Sequence, residues 1–143
     1  MIFKQTRIGK DGQPFTIYKF RTMDDQGNIT RPLLRRSGLD ELPQLWNIVR
    51  GDMTLFGPRP EIPEIHDRCR AVVGPVWNER LRVKPGLLSL ASVTGRIRTE
   101  ARYTPDVKVE QAILDATMIE DLSWKMRWAI LCRLPRTILA GQP

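Results

Sequence analysis

The stretch LRRSGLDELPQLWNIVRGD, residues 34–52, decides how the chain is to be read. Leu39, Leu42, Leu45, Trp46 and Val49 succeed one another at steps of three, three, one and three, which lays one apolar stripe along an amphipathic helix. Gly51 suits its C-terminal stop. Two adjacent acids, Asp40 and Glu41, stand at the mouth of this helix, with Arg31, Arg35 and Arg36 before them and Arg50 after. Two readings of the pair compete. In the first, SGLD is a capping box, the acids favour the positive end of the helix dipole, and Pro43 fits a first turn. In the second, the carboxylates hold a divalent cation and one attacks a phosphorus or acyl centre whose charge the arginines neutralise. The local pattern alone favours capping.

Working outward, residues 2–8 and 15–20 are β-prone runs joined by GKDGQP, whose glycines, aspartate and proline make a turn. A β-hairpin is expected there. DDQGNITR (24–31) reads as an exposed loop, and residues 33–36 open a short helix. In FGPRPEIPE, Pro58 and Pro60 fix the backbone around Arg59. Residues 64–73 and 76–83 read as weakly patterned helices. VKPGLLSLASVTGR (83–96) begins with a Pro-Gly turn and continues as strand or loop. Val109, Ala112, Ile113, Ala116 and Ile119 form a helical stripe over 107–119. A last helix over 124–139 carries Trp124, Trp128, Leu131 and Leu134 with Lys125, Arg127, Arg133 and Arg136 between them, and Pro135 is expected to kink or end it. The fold class is α+β, mostly helical, with a small N-terminal β-hairpin packed with several amphipathic helices in one domain, 1–143.

The formal net charge of +7 and pI of about 10.0 call for an anionic partner: nucleic acid, an acidic membrane surface or phosphorylated substrates. Nucleic acid is disfavoured, because no base-stacking signature accompanies the charge. No apolar run reaches the about 18 residues of a membrane-spanning helix, and no signal peptide is visible. Cys69 and Cys132 have no metal-ligand spacing and are expected as reduced thiols in a cytosolic setting. His66, the single histidine, has no nucleophile to serve, and GKDGQP lacks the spacing of a phosphate-binding P-loop. Arg59 is suited to bidentate phosphate contact. Lys19 and Arg21 end the second strand, while Arg96 and Asp115 read on pattern alone as surface residues. Tryptophans interleaved with basic residues from Trp124 onward suit either an interfacial helix or an ordinary core-facing one.

YKFRTM, LDELPQLWNIVRGDMTLFGPRPEIPE, RVKPG and ILDATMIEDLS stand together in the order seen in the bacterial sugar transferase family, the monotopic phosphoglycosyl transferases. The resemblance covers nearly the whole chain and is densest over 15–64. It implies transfer of a sugar-1-phosphate from a UDP-sugar to a polyprenyl phosphate, with release of UMP. The setting is the cytoplasmic face of the bacterial inner membrane, in the first membrane step of surface glycan assembly. It also implies a hairpin packed with helices, some lying flat at an anionic membrane surface, and an N-terminal re-entrant helix.

Carried over residue by residue, the family's catalytic dyad falls on Asp40 and Glu41. Asp40 is the expected nucleophile, forming a covalent phosphosugar in a ping-pong cycle, and both acids are the expected ligands of magnesium (Mg2+). Arg59, Arg96, Lys19, Arg21 and Arg36 are expected to bind substrate phosphate, and Asp115 is a further polar site. The oligomeric state is left open. The chain departs from the family at LLSLASVTGR, where Leu88, Ser89, Ser92 and Thr94 replace the usual residues, and at Met118, where an aromatic is usual. A degenerate, non-catalytic membrane-surface or partner-binding homologue is therefore the alternative. The chain enters where the hairpin begins, so turnover on long polyprenyl phosphate is expected to be reduced or absent.

Overall fold

The computed structural model describes residues 1–93, 105–121 and 123–139. Strands β1 (Ile2–Ile8) and β2 (Pro14–Phe20) pair antiparallel from Ile2 opposite Phe20 to Ile8 opposite Pro14. Their connection closes through Asp11 and Gly12, both in the left-handed region that tight turns need. The short helix α1 (Pro32–Arg36) follows, then a 3-10 turn at Leu39–Glu41 and helix α2 (Gln44–Val49). The single helix expected across 39–49 is thus two pieces, broken around Pro43.

The expected stripe faces the wrong way. Leu42, Leu45, Trp46 and Val49 lie at the surface, with Val49 76% exposed, whereas Gln44 and Asn47 are buried. The reason is a set of hydrogen bonds. Asn47 sits against the free edge of β2, donating from Nδ2 to the Thr16 carbonyl (2.7 Å) and accepting from the Tyr18 N–H (3.3 Å). A strand edge offers unpaired backbone groups, and a carboxamide can both donate to them and accept from them. The polar side of α2 is held against the hairpin, and its apolar side is turned out.

Strand β3 (Thr54–Phe56) follows, then helix α3 (Pro63–Val73), a 3-10 segment at Pro75–Arg82, strand β4 (Gly86–Leu88) and helix α4 (Leu90–Val93). β3 and β4 run parallel, with Thr54 opposite Gly86 and Phe56 opposite Leu88. The two backbones meet closely at Gly57 and Gly86, and a Cβ on Gly86 would lie 2.0 Å from the Gly57 nitrogen. Helix α5 (Pro105–Glu120) joins two apolar clusters: Leu90, Met118 and Ile130 in one, and Cys69, Trp77 and Ala112 in the other. Its apolar stripe is divided, with Ala112 buried in this core and Ala116 and Ile119 half-buried. Val109 and Ile113 are exposed, and Lys108, Gln111 and Asp115 are buried. Helix α6 (Trp124–Leu139) runs through Pro135 rather than ending there. Both cysteines are free thiols.

Candidate active site

The two acids do not cap a helix. Ser37 donates its hydroxyl backward to the Leu34 carbonyl (3.0 Å), and no side-chain cap forms at either Gly38 or Pro43. Gly38, in the left-handed region at φ +71°, ends α1 and turns the chain into the 3-10 turn. That turn delivers Asp40 inward, where it is buried and its Oδ1 has no hydrogen-bond partner.

Glu41 faces the end of β2. Its Oε1 accepts from Lys19 Nζ (2.7 Å) and from Arg59 Nη2 (2.8 Å). Lys19 is carried by the hairpin, and Arg59 by the proline-flanked loop after β3. Three elements distant in sequence therefore converge on one carboxylate.

The neighbouring acids are driven to different proton affinities. Burial would raise the Glu41 pKa, but Arg59 and Lys19 outweigh it and hold the carboxyl far below the usual range. For Asp40, burial and then the Glu41 charge raise the pKa, and Lys19 and Arg35 offset this only in part. Burial lowers the Lys19 pKa more than Glu41 restores it. Glu41 is thus held as an anion, while burial and the Glu41 charge make Asp40 the more readily protonated of the two. This separation of two adjacent acids is the usual basis for giving them different chemical roles.

The other expected site residues are distributed differently. Arg21 pairs with Asp25 in the following loop and does not reach Glu41. The Arg36 side chain is exposed and, among the described residues, makes no hydrogen bond or ion pair. It is Arg35, resting on Met23 Sδ at 2.9 Å, whose charge is felt at Asp40. Arg96 lies outside the described residues. Asp115 is only 1% exposed and pairs with Arg80 at 3.1 Å; burial, partly offset by Arg80, pushes its pKa up to about 6. His66 accepts the Trp77 indole N–H at Nδ1 (3.1 Å), and burial lowers its pKa, so it packs as a neutral ring.

Beneath the Arg59 loop lies a polar layer that the sequence did not disclose. Glu61 Oε1 accepts from Lys108 Nζ (3.0 Å) and Gln111 Nε2 (3.2 Å), and Arg7 lies 3.9 Å from Oε2. Burial opposes ionisation of Glu61, but Lys108 and Arg80 lower its pKa from 4.5 to about 2. A carboxyl depressed on folding stabilises the fold above its unfolded pKa, and that stability is lost as pH falls through the folded value. Between pH 5 and pH 2, Glu61 should therefore account for a loss of about 3 kcal/mol. Urea unfolding across this range should show a distinctly shallower pH slope in Glu61→Gln than in the parent; equal slopes would refute the assignment.

The orphaned Oδ1 of Asp40 beside Glu41 fits a magnesium site. Magnesium is commonly held by one or two carboxylates, with water and substrate phosphates completing its shell. Among the described residues no group of three or more potential protein ligands gathers to hold a metal ion without substrate.

A carboxylate pair set against lysine and arginine at a hairpin's end gathers both signs of charge at one place, with cationic donors left over. The chain belongs to the bacterial sugar transferase family, whose sequence model matches residues 1–141. It is similar to the "Uncharacterized sugar transferase EpsL" of Bacillus subtilis (strain 168), 34% identical over 161 residues, which span 99% of this chain and 71% of the relative. It is 40% identical over 109 residues to the UDP-glucose:undecaprenyl-phosphate glucose-1-phosphate transferase of Caulobacter vibrioides, across 66% of this chain and 40% of that protein. It is 33% identical over 156 residues to the UDP-N-acetylgalactosamine-undecaprenyl-phosphate N-acetylgalactosaminephosphotransferase of Aeromonas hydrophila, across 99% of this chain and 36% of the relative. The chain thus spans less than half the length of these two transferases.

Proposed function

We propose that this chain is the catalytic domain of a phosphoglycosyl transferase, which moves a sugar-1-phosphate from a UDP-sugar to a polyprenyl phosphate. The observation that carries the reading is the buried Asp40 carboxyl, whose Oδ1 has no hydrogen-bond partner, beside a Glu41 already held by two cations. In the first half-reaction an Asp40 oxygen attacks the β-phosphorus of the UDP-sugar. The bond from that phosphorus to the bridging oxygen breaks, and UMP leaves with the oxygen and its electron pair. In the second, an oxygen of polyprenyl phosphate attacks the same phosphorus and Asp40 is released.

Lys19 and Arg59 each spend one donor on Glu41 and keep others free for phosphate oxygens. Magnesium, held by Asp40 and Glu41, would neutralise the diphosphate so that an anionic nucleophile can approach it. The named activities of the relatives support this substrate pair. The experiment is incubation with a UDP-sugar labelled at the β-phosphate, with magnesium and no acceptor. Label on Asp40 with stoichiometric UMP is expected. Nucleotide binding without UMP release would instead favour a non-catalytic homologue.

The acceptor's lipid tail requires a membrane surface, and the cytoplasmic face of the bacterial inner membrane is where a UDP-sugar and that lipid meet. No described helix is long and apolar enough to cross a membrane. The outward stripe of α2 supports docking at a surface instead, as do the exposed Trp124 and Trp128, whose rings stack at 6.2 Å. Leu45→Glu with Trp46→Glu is expected to weaken binding to vesicles containing anionic lipid by about tenfold or more. The melting temperature should stay within a few degrees, since neither side chain is in the core. Unchanged sedimentation with vesicles would refute this orientation.

A further inference from the structure

The loop that carries Arg59 is held in an unusual way. Four consecutive carbonyls are each taken by a donor from outside it. Pro58 accepts from the Gly86 N–H (3.0 Å), Arg59 from Arg80 Nη2, Pro60 from Arg7 Nη1 (3.3 Å) and Glu61 from the Ile8 N–H (2.9 Å). Pro58 and Pro60 have fixed φ and no N–H of their own. With φ fixed at two residues and four carbonyls bound, the loop has one backbone path, and the Arg59 side chain leaves it toward Glu41.

Arg80 differs from the other three donors, because its own placement depends on a separate helix. The residue is 6% exposed, and its guanidinium lies 4.2 Å from the Trp77 ring centroid and pairs with Asp115 on α5. A buried guanidinium without a counter-charge would be strongly unfavourable; Asp115 provides that charge in an ion pair at 3.1 Å, and the Glu61 carboxylate is felt there as well. Asp115 is itself buried at 1% exposure, so it faces Arg80 and not solvent.

We infer that Arg80 is a positioning residue, seated by Asp115 and Trp77, which fixes the Arg59 carbonyl and thereby aims the Arg59 guanidinium at Glu41 and at the substrate phosphate. The orientation of Arg59 follows from geometry alone. The consequence for substrate rests on the phosphate-binding role proposed above. Asp115, expected from the family resemblance as a polar site residue, then acts two side chains away from the chemistry, through Arg80 and Arg59.

The test uses the whole chain and has two arms. In the first, side-chain NMR follows the Arg59 guanidinium. Held by Glu41 through Nη2 alone, its two Nη groups should give separate signals in the parent, and Arg80→Met should merge them while the amide spectrum stays dispersed. Asp115→Asn, of the same shape, should do the same, and it carries the test if Arg80→Met does not fold. Arg80→Lys, which keeps the charge and loses the fork, should restore less than half of the separation. Separate Arg59 signals in both Arg80→Met and Asp115→Asn would overturn the inference.

In the second arm, Arg80→Met should raise KM for the UDP-sugar by about tenfold or more, with a smaller change in kcat. The double variant with Arg59→Ala should be no worse than Arg59→Ala alone, since residues acting through one another are not additive. Fully additive losses would also overturn it. A parent that releases no UMP sinks the transferase reading, while the NMR arm still decides the role of Arg80.

Discussion

Asp40→Asn is expected to abolish covalent labelling and to lower UMP release by about four orders of magnitude, while the melting temperature holds or rises. The first half follows from the chemistry: an amide cannot attack phosphorus, and losing a nucleophile removes a path that the remaining groups cannot replace. The second half follows from the structure. Oδ1 makes no hydrogen bond, no helix depends on Asp40 as a cap, and its ionised form is opposed by burial and by Glu41. A neutral side chain of the same shape removes that opposition. Labelling of the variant separates the two roles that the sequence left in competition: asparagine caps a helix nearly as well as aspartate, so capping alone predicts a variant that keeps both its stability and its label.

Gly86→Ala is expected to be the most damaging single methyl group in the fold. The added Cβ would stand 2.0 Å from the Gly57 nitrogen, 2.5 Å from its Cα and 2.6 Å from the Phe56 carbonyl carbon, all backbone atoms with no rotamer to move. Relief requires the parallel pairing of β3 and β4 to part, at a cost of about 3 kcal/mol or more. For a chain of this length that is a fall of about 10 °C in melting temperature. Gly57 leads directly into Pro58 and Arg59, so the damage should reach the site. The Gly86 N–H that holds the Pro58 carbonyl would shift with it, and the affinity for UDP-sugar should fall alongside stability. An alanine variant with parent stability would mean that the strands are farther apart than described.

The hairpin, helix α3, the long helices α5 and α6 and the irregular 24–31 loop could be read from turn chemistry and periodicity, since these are local signals. The parallel pairing of β3 with β4 could not, because three-residue strands more than 25 positions apart leave no pattern. Periodicity also found an apolar stripe on α2 and on α5, but that of α2 lies at the surface and that of α5 is divided, with Ala112 buried and Val109 and Ile113 exposed. A stripe shows that a helix has two sides; which side is buried depends on what waits there. For α2 it is the edge of β2, which Asn47 satisfies, and for α5 it is Glu61, to which Lys108 and Gln111 donate, and Arg80, with which Asp115 forms an ion pair.

Pattern singles out Arg59 between its prolines and Lys19 at a strand end, but only the family resemblance joins them to Glu41, and the same resemblance points to Arg21 and Arg36, which lie elsewhere. Arg80 passed unnoticed because one arginine in a weakly patterned segment looks like a solvated charge. Its partner is 35 positions away, and only the fold brings the two together.

The outward turn of α2 has a consequence for how such a chain can change. Along Gln44–Val49, the residues that hold the fold are polar and the residues open to the surroundings are apolar. A leucine replaced at Leu45 leaves the packing untouched, whereas an apolar replacement at Asn47 strips two backbone groups of β2 of their partner. Selection on folding and selection on what the outer face meets therefore act on different letters of the same six-residue helix, and each can drift without disturbing the other.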